Sequence, residues 1–210
     1  MKKYNEATAH EYDSLRSGHL LNRRFEIIRD LIAAVKNGRP LKIAEIGAGT
    51  GIMSFLVASH FADCQVSAFD VNEGFVSYAG QKYKRDNLSF QTIDIEKSGG
   101  RGNFDVVITV DILHHLGDIA SAVSNIGDRL KVGGSWIILE PNVFNFYIYL
   151  FQLLAKNEGL FSQSKTEKIF DEGFKIAEKK YAFIIHSIIK QPPGWLAELE
   201  RRLENRKFLG

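Results

Sequence analysis

At 210 residues, 45% of them hydrophobic and 25% charged, the chain has the size and composition of one globular domain with a substantial core. Its 27 basic and 25 acidic residues leave a net charge of +2 and are scattered along the chain, which argues against a nucleic-acid partner held by a strong positive field. The single cysteine, Cys64, excludes an internal disulfide framework and a cysteine-based zinc site, and no metal site is expected.

The opening MKKYNEATAHEYD carries charge with no apolar stretch behind it, so it does not read as a secretory signal. The longest apolar run, Val143 to Ala155, is broken by Asn145 and Gln152 and falls short of the roughly 20 residues of a spanning helix. A cytoplasmic protein without a transmembrane segment is the expectation. Tyr4 to Ser17 is polar, with Tyr4, Tyr12 and Leu15 as its apolar anchors, and is expected to form a short helix or lid. Leu20 to Lys36 places Leu21, Phe25, Ile28, Leu31, Ile32 and Val35 at helical spacing, with Arg23, Arg24, Glu26 and Arg29 forming a solvated face. Asn37-Gly38 and Pro40 end that helix.

The centre of the chain is LKIAEIGAGTG, Leu41 to Gly51. Alternating apolar residues run into Gly47, Gly49 and Gly51, and an apolar-periodic helix, Ile52 to Phe61, follows at once: buried strand, tight turn, helix start. Glycines there allow positive φ and let a ligand lie against bare backbone amides. A dinucleotide fingerprint would put its third glycine where Ile52 stands, and a phosphate loop would need a Lys followed by Ser or Thr. With Glu45 two places ahead of G-x-G-x-G, the stretch resembles the first motif of the class I S-adenosylmethionine-dependent methyltransferases.

Later segments agree in order. Gln65 to Val71 reads as a second strand ending at Asp70, where a carboxylate can accept bonds from vicinal ribose hydroxyls or cap the next helix. Glu73 to Arg85 follows as a helix, then Leu88 to Ile93 as a third strand leading to Asp94-Ile95. Ser98 to Gly102 reads as a flexible connection. Phe104 to Val110 is β-branched nearly throughout, as in the centre of a parallel sheet, and runs into DILHHL. Asp118 to Leu130 is an amphipathic helix, and Lys131 to Gly134 is expected to turn the chain into the fifth strand, SWIILEPN. The L-K-V-G-G phrase resembles the family's fifth-motif region, so the likeness covers roughly Glu6 to Glu140.

The resemblance implies a Rossmann-like α/β fold: a doubly wound, mostly parallel sheet with helices on both faces. The chain would divide into lid and first helix at 1–37, cofactor core at 41–140 and substrate side at 141–210. It implies S-adenosylmethionine as cofactor and S-adenosylhomocysteine as product, with Glu45, Gly47, Ala48, Gly49, Thr50 and Gly51 shaping the methionine site. Asp70 and Val71 would take the ribose, Asp94 and Ile95 the adenine, and Val110, Asp111 and His115 the groove beside the acceptor. AHEYDSLR resembles a lid segment of small-molecule members, making Tyr12 a lid contact and Arg16 a partner for the methionine carboxylate; a solvated helix is the alternative. His114 and His115 are candidates for a general base, or for a stacking residue and a turn cap.

Beyond Glu140 the pattern departs. The aromatic stretch Val143 to Leu154 could wall an apolar substrate pocket, touch a membrane surface or pack as a helix on the sheet. Lys175 to Ile189 reads as strand, and the last sixteen residues as an amphipathic helix with Trp195, Leu196, Leu199 and Leu203 on one face. No obvious seventh strand follows, so the C-terminal strand arrangement is expected to be atypical, in a monomer or homodimer. DILHHL replaces the N-P-P-Y-like motif of nucleic-acid methyltransferases, and the two glutamates of arginine methyltransferases are absent there. The expected function is methyl transfer to a small, partly apolar molecule. The alternatives are a non-catalytic S-adenosylmethionine-binding subunit and a nicotinamide-dependent oxidoreductase.

Overall fold

The computed structural model describes residues 6–140, 170, 173–182 and 190–204. Its elements are α1 (Glu6–Leu15), α2 (His19–Lys36), β1 (Lys42–Ile46), α3 (Ile52–His60), β2 (Gln65–Asp70), α4 (Glu73–Lys82), β3 (Leu88–Thr92), β4 (Phe104–Val110), α5 (Ile119–Arg129), β5 (Leu130–Leu139) and α6 (Gly194–Leu203). The strands form one sheet in the order β3-β2-β1-β4-β5, every pairing parallel.

Side chains alternate across the central strands and feed both faces. Ile43, Val106, Ile108 and Val110 meet Ile28 and Ile32 of α2 and Met53 and Val57 of α3 on one side. Ala44, Ile46 and Val107 meet Ala122 and Ile126 of α5 on the other. With both faces covered, β1 and β4 read as the continuous apolar runs seen in the sequence. The chain leaves β1 toward β2 on one side and returns to β4 on the other, so the crevice of this doubly wound sheet opens at the tips of β1 and β4.

At the opposite end of the sheet Asp105, 5% exposed, ties three segments together. It accepts from Arg39 Nη1 at 2.9 Å, the Lys42 amide at 2.9 Å and Lys131 Nζ at 2.8 Å. Burial alone would raise its pKa, but these donors hold the carboxyl well below the usual range.

Several boundaries depart from expectation. α4 stops at Lys82 rather than Arg85, because Tyr83 turns out of helical geometry at φ −109° and ψ 83°, its amide making the last bond of the helix to the Ala79 carbonyl at 2.8 Å. Asn87 Nδ2 then fastens the turn to the Ala58 and Cys64 carbonyls, each at 3.0 Å. Lys131 to Gly134 do not form a turn but lie within β5, the irregularity being absorbed by a register shift opposite Phe104 and Val106. Lys175 to Ala182 are in no strand, since none of the described strands pairs with them.

In α6 the expected face is kept only in part: Leu196 and Leu203 are half-buried, but Trp195 is 69% exposed and Leu199 40%, whereas Glu200 is fully buried. The reason is a part-buried hydrogen bond: His19 Nε2, at the start of α2, meets Glu200 Oε2 at 2.6 Å. The expected aromatic segment, Val143 to Leu154, and the remainder of the expected strand, 183–189, lie outside the described residues. Among the described residues no helix is long and apolar enough to cross a membrane, and no cluster of three or more His, Cys, Asp or Glu could hold a metal ion.

Candidate functional site

The loop after β1 carries Gly47, Gly49 and Gly51 at φ of 74°, 56° and 87°. At two of these positions a side chain has no room. A Cβ on Gly47 would lie 2.5 Å from Ile112 Cδ1, and one on Gly51 2.6 Å from Phe90 Cε1 and 2.9 Å from Ala79 Cβ. Gly51→Ala is therefore expected to cost about 2 kcal/mol or more of unfolding free energy, measured by urea denaturation.

The loop's amides are not bare. Gly47 and Ala48 donate to the Phe69 carbonyl at 2.8 and 2.9 Å, Gly51 donates to the Ala48 carbonyl at 3.0 Å, and Gly49 donates to Asp70 Oδ2 at 2.7 Å. The loop is thus braced from within and offers a ligand a surface of Cα atoms rather than a row of unpaired donors. Asp70 is the brace between the tips of β1 and β2, its Oδ1 also accepting from the Asn72 amide at 2.9 Å. The N-cap of α4 is Asn72, which accepts from the Phe75 amide at 3.2 Å, so Asp70 does not serve that purpose. Each Asp70 oxygen retains a lone pair for a further donor.

Glu45, 2% exposed, lies just before the loop and accepts from Ser54 Oγ of α3. Burial pushes its carboxyl up to about 7, against the lowering effects of Ser54 and of the Arg16 charge. Burial also raises Asp70. Two reluctant carboxylates on one rim favour a cationic ligand.

α1 closes the third side. Tyr12 stacks on Phe75 with centroids 5.1 Å apart, and Arg16 Cζ sits 4.6 Å from the Tyr12 ring centroid. A Cβ placed on Gly49 would be 3.5 Å from Arg16 Nη1 and 3.7 Å from Tyr12 Cε1. The structure therefore brings Tyr12, Arg16, Glu45, Gly49 and Asp70 to one corner.

Other expected residues take different places. Asp94 Oδ1 accepts from the Glu96 amide at 3.1 Å and Oδ2 pairs with Lys97 Nζ at 2.6 Å, so its carboxyl stabilises its own turn. Ile95 is buried, its carbonyl accepting from Asn125 Nδ2 at 2.7 Å. Val110 packs into the core beside α2 and α3, while Val71 is 41% exposed at the β2 tip. Thr50 is buried with its hydroxyl donating to Asp13 at 2.8 Å.

At the tip of β4, Asp111 adopts φ 53° and pairs with Arg24 Nη2 at 2.5 Å. That overturns the solvated face expected for α2. The Arg23 and Arg24 side chains are only 14% and 21% exposed, and Arg23 pairs with Glu26 at 2.8 Å and with Glu204, because this end of α2 runs beneath the ligand end of the sheet and against α6.

His114 and His115 lie in a single 3-10 turn, Leu113–His115, with ring centroids 4.0 Å apart. His115 is exposed. His114 is held: its Nδ1 lies 2.7 Å from Glu140 Oε2, and both side chains are nearly buried, 5% and 7% exposed. Glu140 Oε1 accepts from the Ile112 and Leu113 amides at 2.9 and 2.8 Å. One carboxylate at the end of β5 thus fixes both the turn and the ring it presents. Sequence reading missed Glu140, Arg24 and Asp13. The signal for Glu140 was available, since it is an acid at a strand tip, as Asp70 is.

Residues 44–136 match the family described as a methyltransferase domain. Together with the fold, that match supports a class I S-adenosylmethionine-dependent methyltransferase. Among the proteins similar to this chain is the non-reducing polyketide synthase prhL of Penicillium brasilianum, 27% identical over 158 residues, which cover 71% of this chain and 6% of the synthase. The chain thus spans a small part of that relative's length. Among solved structures, phosphoethanolamine N-methyltransferase 2 of Haemonchus contortus, in complex with S-adenosyl-L-methionine, is 19% identical with a TM-score of 0.69, covering 96% of this chain and 48% of that one. The CurJ carbon methyltransferase is 23% identical with a TM-score of 0.51, covering 65% of this chain and 42% of that one. These likenesses show the Rossmann-like fold of the chain. The residues present fit the cofactor: a side-chain-free loop surface, a strand-tip carboxylate with spare lone pairs, and two acidic side chains, Glu45 and Asp70, of charge opposite to a sulfonium's.

Proposed function

We propose that this methyltransferase transfers the methyl group of S-adenosylmethionine to a small, partly apolar acceptor that gives up a proton as it attacks, with His114 as general base. The observation that carries this is the pairing of His114 with Glu140. With Glu140 Oε1 committed to two backbone amides and Oε2 facing Nδ1, the ring proton is drawn to Nδ1 and the lone pair lies on Nε2. A neutral imidazole so oriented can take a proton from a carbon beside a carbonyl, or from a hydroxyl. A tertiary amine or thioether acceptor would not need it. A relative that is a polyketide synthase and a structural neighbour named as a carbon methyltransferase support acceptors of the first kind.

Bound at the glycine corner, the cofactor supplies a methyl group already activated by the sulfonium charge. What the chain must add is orientation, worth roughly 7 to 11 kcal/mol when reacting atoms are held in line. Asp70 would hold the ribose, Tyr12 and Arg16 would cover the methionine end, and Asp94 and Ile95 the adenine. His114 Nε2 would take up the proton that the acceptor gives up on methylation. The acceptor would enter as a free small molecule, at a cytoplasmic site of action, without nucleic acid.

Calorimetric titration of the purified protein with S-adenosylmethionine and S-adenosylhomocysteine, with NADH as control, tests the donor half. Both sulfur ligands are expected to bind and NADH not to; Asp70→Ala should weaken binding about tenfold or more, the loss of charged hydrogen bonds. Absence of binding by either sulfur ligand would overturn the reading. Binding without methyl transfer to any member of a panel of phenols, β-keto thioesters and small acids would instead support a non-catalytic subunit.

A further inference from the structure

We propose that Asp13 is the positioning residue that latches α1 onto the donor site and so sets how fast donor and product exchange. The inference rests on the reading of the glycine corner as the donor site.

Asp13 is a carboxylate only 7% exposed on an otherwise polar helix. Four side chains converge on it. Thr50 Oγ1 of the glycine loop donates at 2.8 Å to Oδ1. Lys82 Nζ at 2.5 Å, Tyr83 OH at 3.0 Å and Tyr78 OH at 3.4 Å, from α4 and the residue that caps it, reach Oδ2. One residue earlier lies Tyr12 and one turn later Arg16, the two side chains that rest against Gly49. Among the described side chains of α1, Ala9 is the one fully buried apolar group. A methyl-sized contact holds a helix weakly. Docking of α1 therefore rests on the Tyr12–Phe75 stack and on the buried carboxylate, whose four donors tie it to α4 and to the glycine loop. Because one of those donors, Thr50, belongs to the loop under the ligand, the same contact fixes the distance between lid and floor.

The test uses the full chain, with S-adenosylhomocysteine as probe. Asp13→Asn should raise the dissociation rate of S-adenosylhomocysteine about tenfold or more, the scale of a lost charged hydrogen bond. It should raise KM for the donor by a similar factor with little change in kcat, a split that a general loss of folded protein would not produce. In the ligand-free protein, amide hydrogen exchange over Glu6–Leu15 should rise while exchange in β1 and β4 stays at the wild-type level. Lys82→Met, at a side chain 43% exposed and so dispensable to the core, should move the same readouts in the same direction and serves if Asp13→Asn does not fold. Unchanged exchange over α1 together with an unchanged dissociation rate in the variants would overturn the latch. So would a fall in kcat at constant KM. If the wild-type protein binds no S-adenosylhomocysteine, the donor reading fails, and the exchange of the ligand-free protein still decides whether Asp13 holds the helix.

Discussion

Replacing His114 by alanine is expected to lower kcat by about a hundredfold to ten-thousandfold, the range of a general base, while donor affinity stays within about a factor of two. The ring lies past the tip of β4 and bonds to Glu140 at the end of β5, outside the glycine loop, so the donor site should register its loss little. Glu140→Gln should be nearly as damaging for a different reason. A carboxamide can turn its NH2 toward Nδ1, which moves the ring proton to Nε2 and leaves no lone pair for the acceptor. Glu140→Ala is the less informative variant, because it also strands the Ile112 and Leu113 amides, at a cost of about 2 kcal/mol or more in stability. A kcat within about threefold of wild type would overturn the base assignment and leave orientation as the whole of catalysis.

The second large effect concerns Glu45 and pH. Burial raises its folded pKa from 4.5 to about 7. Between those values the native protein holds a proton that the unfolded chain has released, so stability is greatest at the acid end of that window and falls as pH rises through it. The total is about 3 kcal/mol at 1.36 kcal/mol per pH unit, complete once the native group has also ionised. Urea midpoints of the ligand-free protein at about pH 5 and about pH 8 should show the loss, and Glu45→Gln should flatten it. Equal slopes for wild type and variant would overturn the assignment. A cation bound at this rim favours the ionised carboxylate, so donor binding near about pH 6 should release protons, read as a dependence of the calorimetric heat on the buffer's ionisation enthalpy.

How much could be read from the sequence depended on how local each feature is. Phe104–Val110 was legible to the residue because its β-branched run ends abruptly at Asp111 on one side and a glycine-rich loop on the other. The glycine corner was legible because its spacing encodes backbone conformation directly. The polar pairs were not. His114 meets Glu140 and Asp13 meets Lys82 across long stretches of chain, and no periodicity connects them. Arg24 and Glu200 misled for the same reason: charged residues on amphipathic helices usually face water, and only the tertiary partners Asp111 and His19 bring them inside. Lys131 to Gly134 misled because a glycine pair is a turn signal by composition, whereas the shifted register beside β4 extends the strand through it.

The way α1 is tethered has a mechanical consequence. At its far side Gly18, with φ 85°, is pressed against Lys190, whose carbonyl accepts from the His19 amide at 3.0 Å. The start of α2 is therefore fixed, and any swing of α1 pivots about Ser17 and Gly18. At about 1.5 Å per residue, Asp13 lies roughly 7 Å from that pivot and Glu6 roughly 18 Å. Asp13 thus grips close to the fulcrum. Stretching its hydrogen bonds by about 1 Å lets the free end of the helix travel about 2.5 Å, so a small yielding at the carboxylate becomes a wide opening at the tip.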